Sequence, residues 1–156
     1  MAWATWHTSY VKLSDMEDVE FARCPLEQKN LNLVVVKDGG TLVTSKEGGI
    51  YPLFQAIVSL GDGLHGATIA DKIIGSAAAM LCLYAQIASV YADIASTGAL
   101  AMLKEKGVII TSKNEVSHIF NYDGSDLCPF EKLALSASSP SQLFSALESF
   151  FAEGSL

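Results

Sequence analysis

Between Ile73 and Tyr91 the chain carries no charged residue, and this run restricts the fold more than any other feature. It is almost as long as the roughly 20 apolar residues that a bilayer-spanning helix needs. Gly75-Ser76 and Gln86 interrupt it, however, and Asp71-Lys72 and Asp93 bracket it closely. Its character also changes near Gln86, from helix formers to a Val and Tyr alternation. A buried helix followed by a buried strand fits this pattern better than a membrane span. A strand that is apolar on both sides requires a sheet covered on both faces.

The composition agrees. The chain has 156 residues, 50% of them apolar and only 17% charged, with a mean hydropathy of +0.32. That is enough chain for a real core and too little charge for general disorder. There are 17 acidic against 10 basic residues, a net charge of −7. Arg23 is the sole arginine, so nothing suggests binding to a nucleic-acid backbone. The N-terminus has neither the basic-then-apolar layout of a secretory signal nor the arginines of a mitochondrial presequence. Cys24, Cys82 and Cys128 are odd in number and widely spaced, which argues against a disulfide framework and for a reducing compartment, the cytoplasm. His7, His65 and His118 fit no zinc-ligand spacing, so no metal or other cofactor is expected.

Along the chain, residues 1–14 read as an extension, with Trp3, Trp6, Tyr10 and Leu13 at near-helical spacing. Asp15 is suited to cap a helix to about Gln28, which Cys24-Pro25 should disturb. Residues 31–37 and 41–45 form two strands around the Asp38-Gly39-Gly40 turn. Pro52 opens a helix to about Leu60, and residues 61–66 form a glycine-rich loop. A helix is expected over 71–85, a strand over 87–94, a helix capped by Ser96 or Thr97 and ending at Gly107, and a strand over 108–111. Residues 114–120 read as a short helix or turn. A short helix opens at Cys128-Pro129, and an amphipathic one opens at Pro140. The order implies an α/β fold, a three-layer α/β/α sandwich with a mixed sheet of about four strands. Its strand–helix–strand unit over 87–111 should be a right-handed parallel crossover. The expected organisation is the extension 1–14, a domain over 15–135, and a C-terminal helix over 136–156 that packs on the domain or on a partner. The apolar stripes at both ends leave a homodimer open.

Four stretches carry a resemblance: LNLVVVKDGGTLVTS, GGIYPLFQAI, ATIADKIIGSAAAMLCLYA with VYADIAS after it, and DGSDLCPFEKLA. On these the chain resembles the DUF1893 family of small proteins of the TM1506 type, over roughly residues 31–135. The most specific parts are Asp71-Lys72 with the small-residue helix, and Cys128-Pro129-x-Glu131. The resemblance implies a cytidine-deaminase-like three-layer fold and no assigned reaction. The family usually has a lysine after the helix glycine, where Ser76 stands here. A zinc deaminase needs His-x-Glu or Cys-x-Glu at one helix start and Pro-Cys-x-x-Cys at the next. The corresponding starts here read Asp71-Lys72-Ile73 and Ser96-Thr97-Gly98, without any of those ligands.

Several residues remain able to carry chemistry. Asp71 and Lys72 are either a helix cap beside a solvated lysine or a site in which a sheltered Lys72 acts as base or nucleophile. Cys128, at a helix start pre-set by Pro129, is placed to gain thiolate character. Glu131 opposes that effect, unless it caps the turn or binds the ligand. Ser96 and Thr97 are either an ordinary N-cap or donors to a small polar or anionic ligand. His65 is either a general base or a solvated loop residue. Cys82 belongs to the core. Two functions fit: a small-molecule site with Asp71, Lys72 and Cys128 as its catalytic group, or a non-catalytic binding or assembly module.

Overall fold

A computed structural model describes residues 13–153. Most of the expected N-terminal extension therefore lies outside the described residues. The elements are α1 (Leu13–Gln28), β1 (Leu33–Lys37), β2 (Gly40–Ser45), α2 (Tyr51–Leu60), β3 (Thr68–Ile74), α3 (Ser76–Tyr84), β4 (Ser89–Ser96), α4 (Thr97–Glu105), β5 (Ile109–Val116), α5 (Pro129–Ser136) and α6 (Pro140–Ala152).

Residues on alternate sides of a strand face opposite faces of its sheet, and β1 shows what that requires here. Leu33 and Val35 enter the larger core with α2, α3, α4, α5 and α6, while Val34 and Val36 meet Ala22 and Leu26 of α1. The same division holds for Ile69 and Ala70 in β3 and for Val90 and Tyr91 in β4. The result is three layers around a mixed sheet of order β2-β1-β3-β4-β5. Strand β1 pairs antiparallel with β2 and β3, whereas β3, β4 and β5 are mutually parallel. The uncharged run resolves into the end of β3, helix α3 and the start of β4. No helix among the described residues is long and apolar enough to cross a membrane.

Three expectations are corrected. The sheet has five strands because residues 68–74 form the buried central strand β3, so Asp71 and Lys72 sit inside a strand and helix α3 starts only at Ser76. Strand β5 continues to Val116 through residues expected to begin a helix or turn, held to β4 by pairs such as Ile94 with Asn114 and Ser96 with Val116. Helix α1 runs through Pro25 to Gln28. Proline lacks one donor but still accepts, and the Lys29 N–H reaches the Pro25 carbonyl at 2.9 Å.

The parallel pairing of β3 with β4 buries one polar contact. Thr68 and Ser89 are both fully buried, with their hydroxyl oxygens 2.6 Å apart. Thr68→Val should cost about 1–3 kcal/mol, because it strands the Ser89 hydroxyl, and adding Ser89→Ala should recover most of that loss. Urea denaturation of the single and double variants measures the difference, and a fully additive double variant would contradict it.

Candidate functional site

The carboxyl ends of parallel strands are the usual ligand sites of open α/β sheets. Beyond Asp71 the in-and-out alternation of β3 slips, leaving Ile73 half-exposed and Ile74 buried. A cavity of about 410 Å³ opens there, lined in part by Asp71, Lys72, Ile50, Phe130, Cys128 and Glu131. The loop at Gly48 and Gly49, together with Asn32, Phe120 and Tyr122, completes its rim.

Each of these residues takes its place for a traceable reason, although the Lys72 side chain turns away toward Asn30. Asp71 faces the larger core from β3, opposite Leu33 on one neighbour strand and Ala92 on the other. Burial pushes its carboxyl up to about 7, with nearby Asp93 adding to the rise and the backbone N–H groups of Ile73 and Lys72 opposing it. The Lys72 ammonium donates to the Asn30 side chain at 2.5 Å, at an exposed position. Cys128 is held at the start of α5 by its own N–H, which donates to the Ile119 carbonyl at 3.1 Å, and by the Phe120–Leu127 bridge beside it. Its thiol caps nothing and is partly exposed, whereas Cys82 is fully buried in α3 and its thiol is raised well above the usual range by desolvation.

Glu131 does not cap its own helix. Its carboxylate crosses to the start of α3, where it accepts the Ser76 N–H at 2.8 Å and the Ala77 N–H at 3.0 Å. A helix N-terminus favours an anion, and here the anion comes from the chain itself. The contact needs Gly75: a Cβ at that position would lie 2.5 Å from a Glu131 carboxylate oxygen.

The structure thus brings Asp71, Lys72, Cys128 and Glu131 around one cavity and leaves the remaining expected residues elsewhere. Ser96 is buried and accepts the Ala99 N–H at 3.2 Å as the N-cap of α4. Thr97 donates towards Glu115 and the Val116 carbonyl, each at 3.2 Å. Neither lines the cavity. His65 precedes the amino end of β3, away from the cavity, with its ring 3.5 Å from Asp62. The rim residues Asn32, Gly48, Phe120 and Tyr122 carry no chemical signature of their own. The glycine pair ahead of Ile50 signals only a loop at that place. Among the described residues no cluster of three or more His, Cys, Asp or Glu side chains is placed to hold a metal ion.

The model of the domain of unknown function DUF1893 matches residues 22–151. The chain belongs to the DUF1893 family. Its fold is similar to the crystal structure of a DUF1893 family protein (TM1506) from Thermotoga maritima, with a TM-score of 0.77 and 26% identity, covering 92% of this chain and 94% of that one. A weaker likeness is to RibD of Acinetobacter baumannii, with a TM-score of 0.48 and 17% identity over 79% of this chain and 38% of that one. No curated protein sequence matches significantly. The DUF1893 match reaches past the central domain into α6, whose Phe144 stacks on Tyr84 of α3 at 4.3 Å and packs on Phe54 of α2 at 5.3 Å.

Proposed function

We propose that this DUF1893 domain binds a small molecule in the cavity at the carboxyl end of β3. The observation that carries the reading is the convergence there of Asp71 and Lys72 from a central strand with Cys128 from a helix start far along the chain. A buried carboxyl facing a largely apolar, open cavity is costly to a fold and is more often found where a ligand is recognised. Cys128 is the group in the cavity suited to nucleophilic chemistry. The anion-binding start of α3 is already filled by Glu131, and that of α4 is capped by Ser96. These two facts favour recognition without a helix-bound anion, and they equally suit a module that binds without catalysing.

The test is a metabolite screen by thermal shift on the wild-type protein, Lys72→Ala and Cys128→Ala. A ligand of the native state raises the melting temperature, by an amount equivalent to about 2.7 kcal/mol at a hundredfold excess over Kd. True ligands should lose at least half of their shift in one of the two variants. Shifts of equal size in all three proteins would place binding elsewhere and sink the reading.

A further inference from the structure

We propose that the group a ligand turns toward Asp71 is a hydrogen-bond donor bearing positive charge, an amine or amidinium on an apolar body. This rests on the binding reading above and adds the polarity of the ligand. Asp71 is only 9% exposed, yet it lines the cavity. Its one hydrogen-bond partner among the described residues is the Ile73 N–H at 3.2 Å; the neighbouring Lys72 N–H, which donates to the Asn32 carbonyl, only lowers its pKa from nearby. No cationic side chain among the described residues pairs with it, since the adjacent Lys72 ammonium is directed to Asn30.

The titratable groups around it are Asp93 on β4, Cys82 on α3, Lys72 beside it on β3 and Glu131 on α5. The cavity therefore presents two carboxylates, and the donors at the start of α3 that would suit an anion are occupied by one of them. Once ionised, above about pH 7, Asp71 repels a carboxylate ligand, whereas a cation would complete its missing partner set. Ile50, Leu53 and Phe130 provide the apolar wall for the rest of the molecule. Because burial opposes ionisation of Asp71, cation binding should draw a proton off it and strengthen as the pH rises.

Three probes with one aromatic body separate the outcomes: benzylamine, benzyl alcohol and benzoate, each titrated by calorimetry or ligand-observed NMR. Benzylamine should bind best, roughly tenfold more tightly at pH 8 than at pH 6, and its affinity should fall at least tenfold in Asp71→Asn. Benzyl alcohol should bind weakly and equally in both proteins, which also shows that the variant retains the cavity. Benzoate binding as well as benzylamine, or benzylamine undiminished in Asp71→Asn, would overturn the inference while leaving the cavity a ligand site. If none of the three binds, the binding reading fails with it.

Discussion

Gly75→Ala should destabilise the protein by about 2–3 kcal/mol, although Gly75 has φ −99°, a backbone conformation that alanine adopts freely. At such a position exchanging glycine for alanine ordinarily stabilises by about 0.4–1 kcal/mol, through the unfolded chain. The opposite sign is expected because the new methyl would sit 2.5–2.7 Å from the carboxylate of Glu131. The end of a glutamate side chain moves easily, but this one cannot move without releasing the Ser76 and Ala77 N–H groups. Hydrogen bonds to a charged group are worth about 1.5–3 kcal/mol each, and the partly buried Ser76 N–H regains some of that from water while the buried Ala77 N–H regains little. Glu131→Ala should therefore cost a similar amount, about 3 kcal/mol, or near 10 °C in melting temperature for a chain of this size. The two changes must not add. In the Glu131→Ala background the clash is gone, and Gly75→Ala should become neutral or mildly stabilising. Guanidinium denaturation of the four proteins in the cycle measures this coupling. A Gly75→Ala variant as stable as the wild type would show that Glu131 does not hold α3.

This internal cap also explains why reading residues one at a time could mislead. A carboxylate three residues after a proline-led helix start suggests a local capping box, and Glu131 has that spacing from Cys128. The spacing says nothing of a helix start distant in sequence that needs an anion more. The β1–β2 hairpin was legible because its turn chemistry and apolar strands are local, and the Ser96 cap of α4 was legible for the same reason. Strand β3 was not. Its sequence, TIADKII, mixes alanine and a charged pair with β-branched residues and is followed, after Gly75, by an alanine-rich helix. What makes it a strand is the pairing with β1 and β4 on either side, a tertiary effect that overrides local preference. The site followed the same division. Asp71, Lys72 and Cys128 stood out as polar groups within an apolar chain. The rim at Asn32, Phe120 and Tyr122 exists only through the folding of distant loops.

Asp71→Asn should raise stability at pH 8 by about 4 kcal/mol and leave it nearly unchanged at pH 4, the largest effect expected between those two pH values. The direction follows from where the proton is held. The carboxyl has an ordinary value of 3.8 and is pushed up to about 7 in the fold. Between those values the folded chain binds more protons than the unfolded chain, so stability falls as the pH rises. The native state is favoured by this group below about pH 4, loses that advantage across pH 4 to 7, and carries the full cost of a buried charge above pH 7. Asparagine keeps the oxygen that accepts the Ile73 N–H and has no charge to bury. Other titrating groups contribute equally to both proteins, so the difference between their urea-derived stabilities isolates Asp71. Cys82 stays neutral throughout this range because burial raises its thiol, and Tyr91, raised to about 12 by burial, acts only at far higher pH. A difference that stays below about 1 kcal/mol from pH 4 to pH 8 would mean that Asp71 is solvated in the native state. The cost of its buried charge would then vanish, and with it the reason for the cavity to seek a cation.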